Sequence, residues 1–282
     1  MTRPYAVKAK KTKKRPRVEE EEEEKQEVQI EEEEEETGGG DNDGGVDSPA
    51  AAEAAAADQL DGIPISRPVV ASKKPGVIFL LDRASLEVAK VGKNFQILNS
   101  DDHANFLKKQ NRNPADYRPD IIHQALLAIL DSPLTKAGRL QALYVRTEKG
   151  VLFEVKPHVR MPRTFKRFCG LMLQLLQKLS ITAAGKREKL LNVIKNDIGR
   201  YLPVNSRRIG LSRSSEKMVQ MRDYVAAASD DVNLVFVVGA MAHGKINNDN
   251  TDDFISISNY PLSAACCLGR ICNALEHKWK II

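Results

Sequence analysis

From Pro75 to the C-terminus the apolar residues follow two spacings, and before Pro75 they follow neither. Gly76–Leu81 (GVIFLL) and Asn233–Val238 (NLVFVV) are short unbroken apolar runs rich in β-branched residues, the pattern of strands covered on both faces. Leu140–Thr147 and Val151–Pro157 read as two strands joined at Glu148-Lys149-Gly150, with glycine where a tight turn needs positive φ. Between these runs the spacing lengthens to three and four. Pro119–Leu130 opens on proline and an acid, both suited to a first helical turn. Thr164–Leu179 sets Phe165, Phe168, Met172, Leu175, Leu176 and Leu179 on one stripe. Lys186–Lys195 and Pro261–Glu276 complete the predicted helices, the last capped by Ser258 or Asn259 with Pro261 near its first turn. Strands alternating with helices predict an α/β domain around a largely parallel sheet.

Charge divides the chain at the same place. Residues 1–72 carry 19 acidic against 10 basic residues, a net of −9, whereas residues 73–282 carry 19 against 33, a net of +14. The first segment holds a basic run, Lys8–Arg17 (KAKKTKKRPR), and two unbroken acid blocks, Glu19–Glu24 and Glu31–Glu36. Like charges repel, and too little apolar area is present to offset the entropy of ordering the backbone. The expected organisation is a disordered charged tail over residues 1–74 and one folded domain over residues 75–282. The basic run reads as a nuclear or nucleolar import signal that also touches RNA phosphate, with a solubilising tail as the competing reading. No apolar run approaches the roughly 20 residues needed to span a bilayer, and none follows the N-terminal bases, so neither a membrane span nor a secretory signal is expected. Cys169, Cys266, Cys267 and Cys272 form no metal-ligand spacing and are expected to be buried reduced thiols, with no metal site.

Three segments carry candidate chemistry. Gly239-Ala-Met-Ala-His-Gly244-Lys245 follows a strand and matches most of a phosphate loop. However, Ile246 stands where a hydroxyl would hold Mg²⁺, and the following residues open no helix, so an ATPase is a poor reading. A glycine-bracketed loop at the carboxyl end of a parallel strand is still the usual place for a ligand, against the alternative of an ordinary turn. In Arg160-Met-Pro-Arg163-Thr-Phe-Lys-Arg167, three arginines crowd a helix N-terminus, where cations oppose the macrodipole. A rule broken at adjacent positions points to an anion, and RNA phosphate suits the +14 domain, against the alternative of a solvated basic face. Asp120, two residues after Arg118, either complements its own helix dipole or holds Arg118 in one rotamer so that the guanidinium meets a phosphate or base. Of the histidines only His243 lies in a candidate site, with a packing or loop role, and no general base stands out. Aromatic residues are sparse at 5%, so no base-stacking platform is evident.

The stretches RPDIIHQALLAILDSPL (Arg118–Leu134), RMPRTFKRFCGLMLQLLQKLS (Arg160–Ser180), FVVGAMAHGK (Phe236–Lys245) and SISNYPLSAA (Ser256–Ala265) together resemble the eukaryotic ribosome-biogenesis methyltransferases that act on nitrogen-1 of a pseudouridine in small-subunit rRNA, members of the SPOUT superfamily. The resemblance spans roughly residues 76–282. It implies an α/β SPOUT fold with a deep C-terminal trefoil knot, a homodimer, S-adenosylmethionine as methyl donor, small-subunit rRNA as partner, and a nucleolar site of action with pre-ribosomal factors or ribosomal proteins nearby. It also implies a donor pocket made by a turn at Gly210 and Leu211, the loop from Gly239 to Gly244, and Ile257, Ser258, Asn259, Tyr260, Pro261 and Leu262. RNA contacts map onto Arg118, Arg160, Arg163 and Arg167, with Asp120 supporting Arg118. Leu211 departs from the threonine of some relatives, and Ser212–Ala227 has no clear match. The rival readings are a non-catalytic rRNA-binding assembly factor and a SPOUT enzyme for another nucleoside.

Overall fold

The computed structural model describes residues 76–282, apart from residues 186, 196, 248 and 249; the tail expected to be disordered lies outside them. Ten strands are described: β1 (Val77–Ala84), β2 (Val88–Val91), β3 (Asn94–Ile97), β4 (Leu140–Thr147), β5 (Leu152–Val155), β6 (Ser180–Thr182), β7 (Lys189–Ile194), β8 (Ser206–Leu211), β9 (Asn233–Gly239) and β10 (Asp253–Ile255). The helices are α1 (Ala104–Lys109), α2 (Pro119–Leu130), α3 (Pro133–Lys136), α4 (Phe165–Lys178), α5 (Met221–Ala226) and α6 (Ala264–Trp279). Eight strands form one sheet in the order β10-β8-β9-β1-β4-β5-β7-β6, and β2 with β3 makes a separate hairpin. The first five of that order are parallel, while β5, β7 and β6 pair antiparallel. The sheet is therefore mixed.

Burial explains the unbroken apolar runs. Val77, Phe79 and Leu81 of β1 enter the larger core with α2, α4 and α6, while Ile78 and Leu80 enter a second core on the other face with Tyr144 and Val237. Alternate residues of a strand point to opposite faces, so a strand covered on both sides carries no polar alternation. Phe79 and Phe236 stack across neighbouring strands with ring centroids 6.0 Å apart. Gly150, at φ +81°, closes the β4–β5 turn as its sequence requires.

Four expectations fail. Lys186–Lys195 is not a helix, because Lys189–Ile194 is β7, whose Leu191–Ile194 ladder onto β5 buries Leu190 and Leu191. The open edge of β5 supplies hydrogen bonds that local propensity does not anticipate. The last helix begins three residues later than predicted, with Ser263 as its N-cap accepting from the Cys266 N–H at 3.2 Å; Ser258 Oγ instead accepts the Tyr260 N–H at 3.0 Å. Leu179 lies outside the apolar stripe, 57% exposed and left-handed at φ +63°, where it ends α4. Of the cysteines only Cys272 is buried, and Cys266 is exposed. All four are free thiols, and burial pushes Cys169 and Cys272 up to about 12.

One irregularity marks the carboxyl end of β1. Leu81 pairs with Val145 and Ala84 with Thr147, so Asp82 and Arg83 oppose Arg146 alone, a bulge. Arg83 takes φ +57°, a conformation that costs a non-glycine residue about 1 kcal/mol or more. Its guanidinium pairs with Glu148 at the turn after β4.

Candidate active site

Because β1, β8, β9 and β10 run parallel, the segments that leave their carboxyl ends gather along one edge of the sheet. β1 leads toward β4 on one side, whereas β9 leads to β10 on the other. Such a switch in direction opens a crevice beyond the strand ends. A cleft of about 840 Å³ lies there. It is lined by Leu211–Ser214 after β8, by Val238, Gly239 and Met241–Ile246 after β9, and by Ile255–Ser258, Tyr260 and Leu262 after β10. The start of α2 closes the remaining side with Arg118, Asp120, Ile121 and Gln124.

The expected donor residues Leu211, Gly239, Gly244, Ile257, Ser258, Tyr260 and Leu262 thus meet in one place, whereas Asn259 and Pro261 are absent from the lining. Gly210 is neither in a turn nor at the cleft. It lies inside β8 between Val237 and Phe254, and a Cβ there would sit 2.8 Å from the Phe254 ring. Its glycine serves sheet packing. Leu211, the last residue of β8, reaches the cleft instead.

Arg118 caps α2 and lines the cleft beside Asp120. Its Nε–H donates to Asp120 Oδ1 at 2.8 Å and its Nη2–H to Oδ2 at 2.7 Å, a bidentate fork that fixes the guanidinium plane. The fork holds the Asp120 carboxyl below its ordinary range, despite partial burial. The Arg118 N–H donates to Ser85 Oγ at 3.2 Å, tying the helix start to the end of β1. Asp120 thus lies in the first turn of its own helix and engages the neighbouring arginine at the same time.

Arg160, Arg163 and Arg167 are exposed and lie outside the cleft lining. Arg163 Nη1–H donates to Asp131 Oδ2 at 2.7 Å. The first turns of α2 and α4 nevertheless pack together. His123 stacks on Phe168 at 4.4 Å, and its Nε2 lies 2.8 Å from the Pro162 carbonyl. A carbonyl only accepts, so Nε2 carries the proton. This bond ties the arginine-rich segment to the helix that carries Arg118. Sequence spacing gave no sign of His123, since its partner lies 39 residues away.

The unmatched stretch after β8 also acquires a place. Ser212 and Ser214 line the cleft together with Arg213. The stretch is stapled through Asp253, which accepts from Arg207 Nη2 at 2.6 Å, from the Tyr224 hydroxyl at 2.7 Å and from Lys217 Nζ. Burial alone would raise the Asp253 carboxyl, but Lys217, Tyr224 and Arg207 outweigh it and hold it at about 2. That lies below the unfolded value of about 3.9, so the staple contributes fully above that value and is lost as pH falls from about 4 through about 2. Asp253→Asn should therefore lower stability at neutral pH and flatten the acid limb over that window, read by urea unfolding at a series of pH values. Parallel acid limbs for the two proteins would contradict it.

An α/β domain with a wide cleft at a topological switch, edged by cations and built on glycine-bracketed backbone, has the form of a nucleotide-type ligand-binding domain. A family model described as EMG1/NEP1 methyltransferase matches residues 79–276. The chain is 51% identical over 206 residues to the Ribosomal RNA small subunit methyltransferase NEP1 of Mus musculus, covering 73% of this chain and 83% of that protein. It is 47% identical over 230 residues to the protein of the same name from Homo sapiens, covering 80% and 93%. A crystal structure of Archaeoglobus fulgidus Nep1 bound to S-adenosylhomocysteine resembles the fold at a TM-score of 0.60 and 21% identity, over 73% of this chain and 99% of that one. The chain belongs to the EMG1/NEP1 methyltransferase family.

Proposed function

We propose that this chain transfers a methyl group from S-adenosylmethionine to nitrogen-1 of a pseudouridine in small-subunit rRNA, in the nucleolus, as a step of small-subunit assembly. The observation that carries this reading is the cleft itself: one wall is backbone-rich and glycine-bracketed, and the other holds a bidentately fixed arginine. The lining suits the donor. Leu211, Ile257 and Leu262 offer flat apolar surface, and the segments around Gly239–Lys245 and Ile257–Tyr260 offer backbone donors and acceptors. Asp120 is the carboxylate among the described lining residues, and Arg118 engages both of its oxygens. When bound, S-adenosylmethionine supplies an activated sulfonium methyl.

The chain's residues then do three things. The cleft holds the target base so that the reacting nitrogen faces the methyl at near-attack distance, about 3–3.5 Å. Arg118 stabilises the negative charge that spreads onto the ring carbonyls as the nitrogen loses its proton. Arg160, Arg163 and Arg167 grip the flanking phosphates. Asp120 is poorly suited as a base, because its carboxyl is held low by Arg118. Water is the proton acceptor in this reading.

The deep knot is part of the same proposal. Its support is that Ser256 pairs with Met218, and that the Val219 N–H donates to the Ser256 carbonyl at 2.9 Å. The segment entering α6 thereby runs against the loop that follows β8. A homodimer completes the reading.

The test is methyl transfer to matched small-subunit RNA hairpins carrying pseudouridine or uridine at the target. Transfer only to the pseudouridine hairpin is the expected result. RNA binding without transfer to either would replace the enzyme with an assembly factor, and transfer to uridine would point to another nucleoside. On the same hairpin, Arg160→Ala with Arg163→Ala should weaken binding and lower the salt slope by about 2, since each phosphate contact contributes about one. Calorimetric affinity for S-adenosylhomocysteine should not change. Unaltered RNA affinity in that variant would remove the phosphate assignment.

A further inference from the structure

Behind the wall that follows β9 lies a group of side chains that does not touch the cleft. The bulge at Asp82 and Arg83 sits at the carboxyl end of β1, and it holds the Ala240–Ile246 loop at both ends. At the loop's start the Ala240 N–H donates to the Asp82 carbonyl at 2.7 Å. At its far end Arg83 Nη1–H donates to the Lys245 carbonyl at 3.1 Å. The guanidinium also lies against the Gly244 turn: Gly244 takes φ +105°, and a Cβ there would meet Arg83 Nη1 at 2.8 Å.

Both bulge residues are braced from the opposite side. Arg83 Nε and Nη2 donate to the two Glu148 oxygens at 2.9 Å each, so the turn after β4 fixes the guanidinium plane. Asp82 is buried; its carboxylate accepts from Arg146 Nε at 2.6 Å and Nη2 at 2.8 Å, and from the Arg83 N–H at 2.9 Å. A chain of charge-assisted bonds thus runs from β4 through the bulge to the cleft wall. Arg83 makes these contacts from a left-handed backbone, φ +57°. Bulges beside sites re-aim side chains, and this one turns Arg83 toward the loop.

We propose that Arg83, locked by Glu148, is a positioning residue that pre-forms the Gly244–Lys245 end of the cleft wall and so sets the affinity for the nucleoside donor. This rests on the donor assignment made above. Its effect passes through the backbone of the loop, which would otherwise have to be ordered at the moment of binding.

The decisive variant is Arg83→Gly. Glycine is comfortable at φ +57°, so this change removes the guanidinium while relieving the backbone, and thermal stability should hold or rise. The expected result is a rise of about five- to tenfold in the dissociation constant for S-adenosylhomocysteine and in KM for the donor, with kcat and hairpin affinity within about twofold of wild type. Glu148→Gln keeps the shape but loses the charge, and should give a smaller rise. Adding it to Arg83→Gly should change nothing further, because the two act as one unit. Hydrogen exchange at residues 242–245 should speed up in Arg83→Gly. Unchanged affinity and unchanged exchange would overturn the inference, as would a fall in melting temperature with no change in affinity. If wild type itself fails to bind S-adenosylhomocysteine, the donor assignment falls, and the inference falls with it.

Discussion

Gly239→Leu should weaken S-adenosylhomocysteine binding by about 100-fold or more, equivalent to about 2.7 kcal/mol, while the chain stays folded. Gly239 is the last residue of β9 and pairs with Asp82 at the mouth of the cleft. A Cβ there would lie 2.9 Å from both Cε and Sδ of Met241 and 3.4 Å from Cγ2 of Ile246. Methionine is flexible enough to yield, so the strand and its ladder survive. Met241 and Ile246 both line the cleft, however, and the displaced atoms and the added side chain have to be taken up by the loop or by the cleft itself. Gly239→Ala should show the same effect on a reduced scale. Calorimetric titration beside a thermal melt separates the two consequences, and a wild-type titration curve for the leucine variant would remove this wall from the donor site.

The second large effect is expected at Arg118. Arg118→Ala should lower kcat by about 100-fold or more, the usual cost of losing a preorganised donor to developing negative charge. Donor affinity and folding should be close to wild type, because the Arg118–Asp120 pair is partly exposed and such pairs add little to stability. Arg118→Lys should not rescue the rate, since an ammonium cannot reproduce the planar two-bond fork that Asp120 holds. Asp120→Asn should fall between wild type and Arg118→Ala, keeping most of the shape while freeing the guanidinium to rotate. Single-turnover methyl transfer at saturating donor and RNA reads this directly. A rate within about threefold of wild type for Arg118→Ala would move the charge-stabilising role elsewhere.

The two helices bounded most closely from sequence, Pro119–Leu130 and the apolar stripe of α4, owe their legibility to strong local signals: proline and acid at one start, and a repeated three- and four-residue spacing in the other. β8 and β10 were invisible for the opposite reason. Ser206-Arg-Arg and Asp253-Phe-Ile look polar or too short, and they become strands only because β9 and then β8 offer them an open edge. The error at β7 has the same origin. Site residues divide in the same way. The glycine loop and the arginine cluster each break a local rule, and a broken rule shows in one dimension. His123, Arg83 and Asp253 break none in the sequence. Their roles lie in partners 39, 65 and 46 residues away.

What the chain's order of residues determined was therefore the buried central strands, the main helices, the division of charge, and the motifs that place it in its family. What only tertiary structure decided was the mixed sheet, the true position of Gly210, the later start of α6, and the bracing of the cleft by the bulge at Asp82 and Arg83. The physical reason is range. Helical periodicity, turn chemistry and like-charge crowding act between neighbours along the chain, whereas strand pairing and bidentate ion pairs act between groups that only folding brings together.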